Sequence, residues 1–305
     1  MKEICVVAPI FNEENTISEF VKQVVNNVKQ LNSEYEIILI DDGSNDNSWM
    51  EIQKEAQKNG NVRGLKLSKN FGHHYAISAG LHKSNAKWTV VMDSDLQDRP
   101  EVIKDLYLKA NEGYEVVFVS RTNRPESFAY LFLQKLFYKL LNLFSGIKFN
   151  SKQANFSIIN YKVVNAFKLF PEKSRFYGST IKWLGFKTTE IKAMHGARFS
   201  GKPSYTFKKR VKLALDIILA FSDRPLKFAI FFGTFMALSA ITFSCWIAWG
   251  AINGNFVVLG WPSLMASIFF VGGSILIVLG ILGTYLGRVF NEVKNRPLYI
   301  ISDEI

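Results

Sequence analysis

Two aspartates stand two positions apart, directly after an apolar run, in the stretch VVMDSDLQDRP at residues 90–100. On an extended segment, side chains at that spacing lean to the same side, so Asp93 and Asp95 can approach one point. Carboxylates with an amide oxygen nearby, here that of Gln97, suit a hard divalent cation such as Mg²⁺ or Mn²⁺. A solvated turn is the alternative for such a pair, but the preceding apolar run predicts a buried strand and favours the cation site.

A second polar cluster, IDDGSNDNS at residues 40–48, also follows an apolar run. Asp, Gly, Ser and Asn are turn formers, so a simple connecting loop is one interpretation. The other is recognition of a nucleotide, in which a carboxylate such as that of Asp42 accepts hydrogen bonds from the base or the ribose. The chain has neither a Gly-x-Gly-x-x-Gly fingerprint nor a Gly-Lys-Ser/Thr loop, so it supports neither a dinucleotide fold nor a P-loop.

The segments that must position these clusters alternate between apolar strands and amphipathic helices. Predicted strands cover 3–10, 36–42, 62–68, 88–94 and 114–120, and predicted helices cover 12–31, 44–58, 74–84 and 100–111. Asn12 is the expected N-cap of the first helix. Continuous apolar strands joined by helical crossovers indicate an α/β fold with a mostly parallel sheet covered on both faces. Ligands of such folds bind beyond the carboxyl ends of the strands, where both acidic clusters fall.

The C-terminal third of the chain is far more apolar than the rest. Residues 228–252 and 264–287 carry no charged side chain, and each run exceeds the ~20 apolar residues that cross a bilayer. A pair of buried core helices is the alternative, but core helices rarely run so far without a polar face. Lys and Arg flank both runs while the connector 251–263 has none, so the positive-inside rule predicts that both termini lie in the cytoplasm. Two spans are too few for a transport pathway in one chain.

Residues next to the spans predict further contact with the membrane. Residues 206–222 form a basic amphipathic helix suited to an anionic membrane surface, and residues 126–146 have a bulky apolar face that fits a core helix or a membrane-facing one. The chain has a net charge of +11, and its hydrophobic content of 48% and aromatic content of 14% exclude a disordered chain. The expected organisation is a cytoplasmic domain at 1–205, a juxtamembrane amphipathic helix at 206–227, two transmembrane helices with a short external loop at 228–287, and a cytoplasmic tail at 288–305.

Several blocks of the sequence, taken in order, resemble one enzyme family. They are PIFNEE (9–14), DDGSNDNS (41–48), LSKNFGHHYAISAGL (67–81), MDSDLQDRPE (92–101) and GRVFNEVKNRPLY (287–299). Together they are similar to the polyprenyl-phosphate glycosyltransferases of family 2, which include dolichol-phosphate mannose synthases and bacterial enzymes that act on undecaprenyl phosphate. The resemblance covers essentially the whole chain. It implies a fold-type A glycosyltransferase domain with a mostly parallel, Rossmann-like sheet, followed by interface helices and two transmembrane helices.

The resemblance also implies roles for individual residues. The positions that match nucleotide-binding residues of the family are Pro9, Phe11, Glu13, Asp42 and Asp93. Asp93, Asp95 and Gln97 match the metal and diphosphate motif, which takes Mg²⁺ or Mn²⁺. Arg121 matches a basic residue near the sugar phosphate, and Arg198 matches one that holds a phosphate, with a membrane-surface charge as the alternative. The expected catalytic residues are therefore Asp95, Arg121 and Arg198.

Two positions depart from the family's pattern. Ala154-Asn155-Phe156 stands where many members have Gly-Asp-Phe, and Pro203 stands where many have Ser. Because Asn155 cannot act as a base, we expect no catalytic carboxylate there. A lipid phosphate needs no base, since its second ionisation lies at about 6 and it is largely anionic at neutral pH. The histidines show no zinc-like spacing, and we expect structural roles for His73 and His74.

The expected function is inverting transfer of a sugar from a nucleoside-diphosphate sugar to a polyprenyl phosphate such as undecaprenyl phosphate, for modification of cell-envelope glycans. Resemblance to bacterial members favours a UDP-linked donor. The expected partners are the nucleotide sugar, the lipid and the cytoplasmic membrane, with no nucleic acid, and Gly-rich spans permit a homo-oligomer. Two alternatives stay open: extension of a saccharide, against which the chain lacks a Gln-x-x-Arg-Trp motif, and a membrane-tethered module that binds a sugar nucleotide without transferring it.

Overall fold

A computed structural model describes residues 1–31, 34–122, 153–170, 172, 176–194, 222–253 and 260–305. The described residues form two compact units. The first lies within Met1–Lys139, Ile147–Phe207 and Pro297–Ile305, and the second lies within Leu140–Gly146 and Lys208–Arg296. The helix predicted at 126–146 and residues 206–221 of the predicted juxtamembrane helix lie outside the described residues.

The first unit begins with alternating strands and helices, as the hydrophobic pattern predicts. In chain order its elements are β1 (Lys2–Ile10), α1 (Ile17–Lys29), β2 (Tyr35–Asp41), α2 (Ser48–Lys58), β3 (Val62–Leu67), α3 (His73–Lys83), β4 (Ala86–Val91), α4 (Val102–Asn111), β5 (Val116–Thr122), β6 (Gln153–Asn160), α5 (Tyr161–Lys168), α6 (Tyr177–Trp183), β7 (Thr188–Met194) and, close to the C-terminus, β8 (Ile301–Glu304).

The strands of the described residues form one mixed sheet, in the order β7-β5-β6-β4-β1-β2-β3-β8. β1 pairs in parallel with β2 and β4, β2 pairs in parallel with β3, and β5 with β7. β6 runs antiparallel between β4 and β5, and β8 runs antiparallel along β3. The mostly parallel α/β sheet is therefore confirmed. The antiparallel strands β6 and β8 are additions that the sequence pattern does not predict.

Apolar side chains cover both faces of this sheet. Successive side chains of a strand point to opposite faces, and β2 shows the consequence. Ile37 and Leu39 pack with residues of α1, α2 and α4, whereas Ile38 and Ile40 pack with residues of α3, α5 and α6. Because helices cover both faces, the central strands have no polar face, and this explains their continuous apolar sequences.

The first helix begins later than the sequence suggests. α1 starts at Ile17 with Thr16 in the N-cap position, so the expectation that Asn12 caps it is wrong. Asn12 has a φ of 54°, its N–H donates to Ser44 Oγ at 2.9 Å, and its Oδ1 accepts from the N–H of Asn45 at 2.9 Å. These hydrogen bonds hold Asn12 in the loop after β1 and delay the start of the helix.

The second unit contains two long helices, α7 (Arg224–Ile252) and α8 (Trp261–Val293). The segments Arg224–Phe243 and Ser267–Val293 are long and apolar enough to cross a membrane. Large apolar side chains along both helices are exposed, as expected for surfaces that contact lipid rather than protein. The hydroxyl of Tyr285 on α8 donates to the carbonyl oxygen of Ser222, just before α7, at 2.8 Å.

The last residues of the chain belong to the first unit. Gly64 and Ile305 exchange two backbone hydrogen bonds of 3.0 Å, and Glu304 contacts Arg63 at 2.7 Å and Lys83 at 2.5 Å. The sequence pattern sets 288–305 apart as a tail, whereas residues 297–305 lie with the sheet. The other domain boundaries stay predictions.

Candidate active site

The carboxyl ends of the parallel strands β1, β2 and β4 bring three polar loops together. In the sheet, Ile10 at the end of β1 is in register with Asp41 at the end of β2, and Val7 is in register with Val91 at the end of β4. The loops that follow these strands therefore meet at one edge, where ligands of α/β sheets bind. These loops contain all the predicted site residues except three. Pro9 lies at the end of β1, and the other two are the arginines Arg121 and Arg198.

The loop after β4 carries Asp93, Asp95 and Gln97, and its backbone is sharply bent. Asp95 Oδ1 accepts from the N–H of Gln97 at 3.1 Å. Leu96 between them has a φ of 59°, a left-handed conformation that costs a non-glycine residue about 1–2 kcal/mol. Such conformations persist where the surrounding structure holds them, and they cluster at functional sites.

The oxygen atoms of Asp93 and Asp95 fit a hard divalent cation. Both residues are half-buried in the same short loop, and Mg²⁺ is commonly held by one or two carboxylates together with phosphate oxygens of a substrate. Within the described ranges, no group of three or more His, Cys, Asp and Glu residues is arranged to hold a metal ion. Asp93 and Asp95 supply carboxylate oxygens of the kind that such a shared cation uses, and their role as metal ligands stays a prediction.

Ser94 joins the loop after β1 to the loop after β4. The Ser94 side chain is buried, and its Oγ lies 2.9 Å from the carbonyl oxygen of Pro9 and makes a short hydrogen bond with Glu13 Oε2. The N–H of Glu13 in turn donates to Ser48 Oγ, at the start of α2, at 2.9 Å. The carboxyl group of Glu13 is thus oriented by the protein, at the point where the three loops meet.

Asp42 lies on the face of the sheet that α3 covers and is only 3% exposed. Its Oδ1 accepts from the N–H of Phe71 at 2.8 Å, and its Oδ2 accepts from the N–H of Gly72 at 2.9 Å. Burial raises the pKa of Asp42, while these two hydrogen bonds oppose the shift because they stabilise the charged form. The carboxyl group therefore fastens the residues just before α3, and its contact with a nucleotide stays a prediction.

Phe11 directly follows β1, and its side chain is 43% exposed. An exposed aromatic ring beside the ends of buried strands provides a flat apolar surface on which a nucleotide base can stack. This position agrees with the predicted nucleotide-binding role of Phe11, which stays a prediction.

His73 lies beside Asp93 and contacts Asn155, although the sequence gives neither His73 nor Asn155 a catalytic role. His73 Nε2 is 3.4 Å from Asp93 Oδ1 and 3.1 Å from Asn155 Nδ2. The antiparallel strand β6 brings Asn155 there, because Ser157 is in register with Val91 at the end of β4. A strand at 153–160 is absent from the sequence prediction, so only the place of His73 after the apolar strand β3 could have signalled the contact.

His74 is a neutral structural residue, in agreement with the sequence expectation. Burial, which disfavours the charged imidazolium, lowers the pKa of His74 to about 3, and electrostatic repulsion from His73 makes a smaller contribution. Its Nδ1 accepts from the N–H of Tyr177 at 3.4 Å, and its ring stands edge-on to Phe176 with centroids 5.5 Å apart.

The two predicted arginines have different places in the chain. Arg121 lies near the end of β5, in register with Ala193 of β7, and β5 ends at the same edge of the sheet as β4. Arg198 lies outside the described residues. The roles expected for both stay predictions.

Comparison with known proteins places this site in a family. Residues 5–170 match the model of the family described as glycosyl transferase family 2. The chain is 36% identical to an uncharacterized glycosyltransferase of Synechocystis sp., over 99% of this chain and 95% of that protein. It is 35% identical to the SfII prophage-derived bactoprenol glucosyl transferase of Shigella flexneri, over 98% of this chain and 97% of that protein. It is 30% identical to the undecaprenyl-phosphate 4-deoxy-4-formamido-L-arabinose transferase of Proteus mirabilis, over 99% of this chain and 94% of that protein.

The chain therefore belongs to glycosyl transferase family 2. The predicted resemblance and the prediction of a glycosyltransferase are confirmed. The full-length similarity and the two apolar helices together make it a membrane-associated protein.

A solved structure has a fold similar to that of most of this chain. The glucosyl-3-phosphoglycerate synthase from Mycobacterium tuberculosis, crystallised with Mn²⁺, UDP and phosphoglyceric acid, is similar with a TM-score of 0.51 and 18% identity, over 72% of this chain and 76% of that chain. At this identity the similarity concerns the fold alone, and it agrees with the predicted fold-type A glycosyltransferase domain.

Proposed function

We propose that this protein transfers one sugar from a nucleoside-diphosphate sugar to a polyprenyl phosphate at the cytoplasmic face of the membrane. The main support is similarity over nearly the whole chain, apolar helices included, to relatives named as a bactoprenol glucosyl transferase and an undecaprenyl-phosphate 4-deoxy-4-formamido-L-arabinose transferase. In its specific form the donor is UDP-linked and the acceptor is undecaprenyl phosphate, and the product serves modification of cell-envelope glycans.

The donor is proposed to bind across the three loops at the ends of β1, β2 and β4. The exposed ring of Phe11 stacks on the base, and the oriented carboxyl group of Glu13 accepts hydrogen bonds from the nucleoside. Asp93 and Asp95, with Gln97, would hold Mg²⁺ or Mn²⁺ next to the diphosphate. When bound there, the cation supplies positive charge that stabilises the departing diphosphate.

The transfer step is proposed to be a direct displacement. An oxygen of the lipid phosphate forms a bond to the anomeric carbon, the bond from that carbon to the diphosphate oxygen breaks, and its electron pair leaves with the nucleoside diphosphate. The attacking phosphate is largely anionic at neutral pH, since its second pKa is about 6. No proton has to be removed, so an amide rather than a carboxylate at Asn155 is compatible with turnover. Displacement inverts the configuration, so an α-linked donor gives a β-linked product.

Basic side chains are proposed to hold the phosphates and orient the protein. Arg121, near the end of β5, and Arg198 bind donor or acceptor phosphate. Lys and Arg on both flanks of the predicted spans, with none in the connector at 251–263, support a multi-pass protein with its active site in the cytoplasm.

The proposal is tested with the full chain purified in detergent, supplied with Mg²⁺ or Mn²⁺, undecaprenyl phosphate and a panel of sugar nucleotides. Mass spectrometry of the lipid should show one added sugar from one donor. Lipid phosphate that stays unmodified while a saccharide acceptor is extended would favour the alternative transferase. Nucleotide binding without any transfer product would favour the binding module and contradict the proposal.

A further inference from the structure

We propose that His73, braced by Asn155, is a positioning residue for Asp93. In this arrangement the imidazole fixes the Asp93 carboxylate in the orientation that receives the divalent cation. The inference rests on the proposed function, because it takes Asp93 as a cation ligand. It adds two residues to the site, one expected from the sequence to be merely structural and one standing where many relatives have a carboxylate.

The contact involves the inner oxygen of Asp93. Asp93 Oδ1 is buried and lies 3.4 Å from His73 Nε2, while the Asp93 side chain as a whole is 29% exposed. The exposed area therefore belongs to the other atoms of the side chain. The imidazole approaches the carboxylate from the protein side and leaves the solvent side of the group for a cation and its phosphate.

The position of His73 is set by rigid parts of the fold. It is the first residue of α3, and the two residues before it donate their N–H groups to the Asp42 carboxylate. α3 also packs closely on the sheet, since a Cβ added to Gly80 would lie 2.4 Å from Val7 Cγ1 and 2.7 Å from Ile40 Cδ1. The start of the helix, and His73 with it, is thereby held at the edge where Asp93 emerges.

The hydrogen-bonding options of the ring favour this role. Beside a carboxylate oxygen, Nε2 is most stable with its hydrogen attached, so that it donates toward Asp93. The amide of Asn155 can present its oxygen to the same N–H, because the amide oxygen and nitrogen exchange places on a half-turn of the group. Carboxylates that bind metals are commonly oriented by such outer hydrogen bonds. The 3.4 Å separation is longer than an ordinary hydrogen bond, and contacts of this kind tighten when the substrate binds.

The amide at position 155 has a consequence for Asp93. A carboxylate there would compete with Asp93 for the same N–H of His73, and it would add a negative charge beside the cation ligands. Asn155, whose Nδ2 lies 3.1 Å from the ring, shares that N–H through an uncharged and therefore weaker acceptor, and it adds no negative charge. The departure from the family's pattern at Asn155 is thus consistent with a bracing role rather than with loss of function.

The test measures Mn²⁺ affinity by electron paramagnetic resonance, on the full chain in detergent with UDP present. Removal of an outer partner of a metal ligand typically costs 10- to 100-fold in affinity. We expect His73→Ala to weaken Mn²⁺ binding by about 10-fold or more, and Asn155→Ala to change it in the same direction. His73→Gln, which retains an N–H donor, should restore most of the loss. UDP binding without metal should be unchanged, and the matched control His82→Ala, at the other end of α3, should bind Mn²⁺ like the wild type.

Three results would overturn the inference. One is wild-type Mn²⁺ affinity in His73→Ala. Another is an equal loss in His73→Ala and His73→Gln together with a lowered melting temperature, which would make the role of His73 structural. The third is a wild-type chain that binds Mn²⁺ no better than Asp95→Asn, which would remove the proposed metal site itself and the positioning role with it.

Discussion

Gly43, between Asp42 and Ser44, is a position at which the structure predicts a large effect from one added methyl group. Its φ is +67°, and an added Cβ would lie 2.4 Å from the carbonyl carbon of Lys69 and 2.5 Å from the nitrogen of Asn70. Both are main-chain atoms, so no side-chain rotation can relieve the contact. In Gly43→Ala the loop after β2 or the segment before α3 must therefore move.

The expected loss of stability is the sum of two costs. A left-handed φ costs a residue with a Cβ about 1–2 kcal/mol, and forced packing costs a further 1–3 kcal/mol or so. The sum of about 2–5 kcal/mol corresponds to a melting temperature roughly 4–20 °C lower, at about 2–4 °C per kcal/mol for a domain of this size. The same movement displaces the N–H groups that Asp42 binds, so UDP affinity should fall as well.

Two other glycines separate these costs. Gly113 has a φ of +92° and nothing within 4 Å of an added Cβ, and Gly60 has neither a positive φ nor a neighbour within 4 Å. These variants are compared by thermal unfolding of the full chain in detergent. Gly113→Ala should lose only the stability that the left-handed φ costs, without the packing cost. Gly60→Ala should change stability by less than about 0.5 kcal/mol. A Gly43→Ala protein no less stable than Gly113→Ala would refute the close contact between the two segments.

Three further variants test other parts of the structure. Phe11→Ala should weaken UDP binding by roughly 5- to 150-fold if the ring stacks on the base, a contact worth about 1–3 kcal/mol. Phe11→Tyr keeps an aromatic ring and should bind UDP like the wild type. Equal UDP affinities of Phe11→Ala and the wild type in a calorimetric titration would exclude stacking. Ser94→Ala leaves a buried carbonyl oxygen unpaired and should lower the unfolding free energy by about 1–3 kcal/mol, which a urea titration measures; an unchanged midpoint would argue against the joining role of Ser94. Hydrogen bonds from Lys83 and, less strongly, Arg63 hold the pKa of Glu304 below its usual range. The ionised Glu304 therefore contributes its full stabilisation at neutral pH, and this contribution is lost as the pH falls through the lowered folded pKa. The free energy of unfolding of the wild type should exceed that of Glu304→Gln at pH 7, and the two values should converge in acid.

The central sheet is predictable from the sequence because its strands are buried on both faces. The run Ile37–Ile40 is wholly buried, and a continuous apolar strand between helical patterns has few other interpretations. The acidic residues at the ends of such strands, Asp42 and Asp93, follow from the same topology, since parallel strands place their carboxyl ends at one edge.

The edge of the sheet and parts of the site depend on contacts between residues far apart in the chain. β8 is short and mostly exposed, so it has no hydrophobic signature, and its place depends on contacts such as the one that joins Arg63 to Glu304 across 241 positions. Asn12 has the chemistry of an N-cap, yet its hydrogen bonds to Ser44 Oγ and from the N–H of Asn45 outweigh that local preference. The contact between His73 and Asn155 likewise appears only once β6 is placed beside β4.

The most direct test of the proposed transfer is the rate at which the full chain, with undecaprenyl phosphate and its preferred nucleotide sugar, forms a lipid-linked sugar. We expect product that disappears with EDTA and falls by at least about 100-fold in Asp95→Asn, because several kcal/mol of charge stabilisation are lost. The matched change Asp105→Asn, on the exposed side of α4, should leave the rate unchanged. Undiminished product in Asp95→Asn would contradict the assigned site, and bound nucleotide with no lipid product from any donor would contradict sugar transfer.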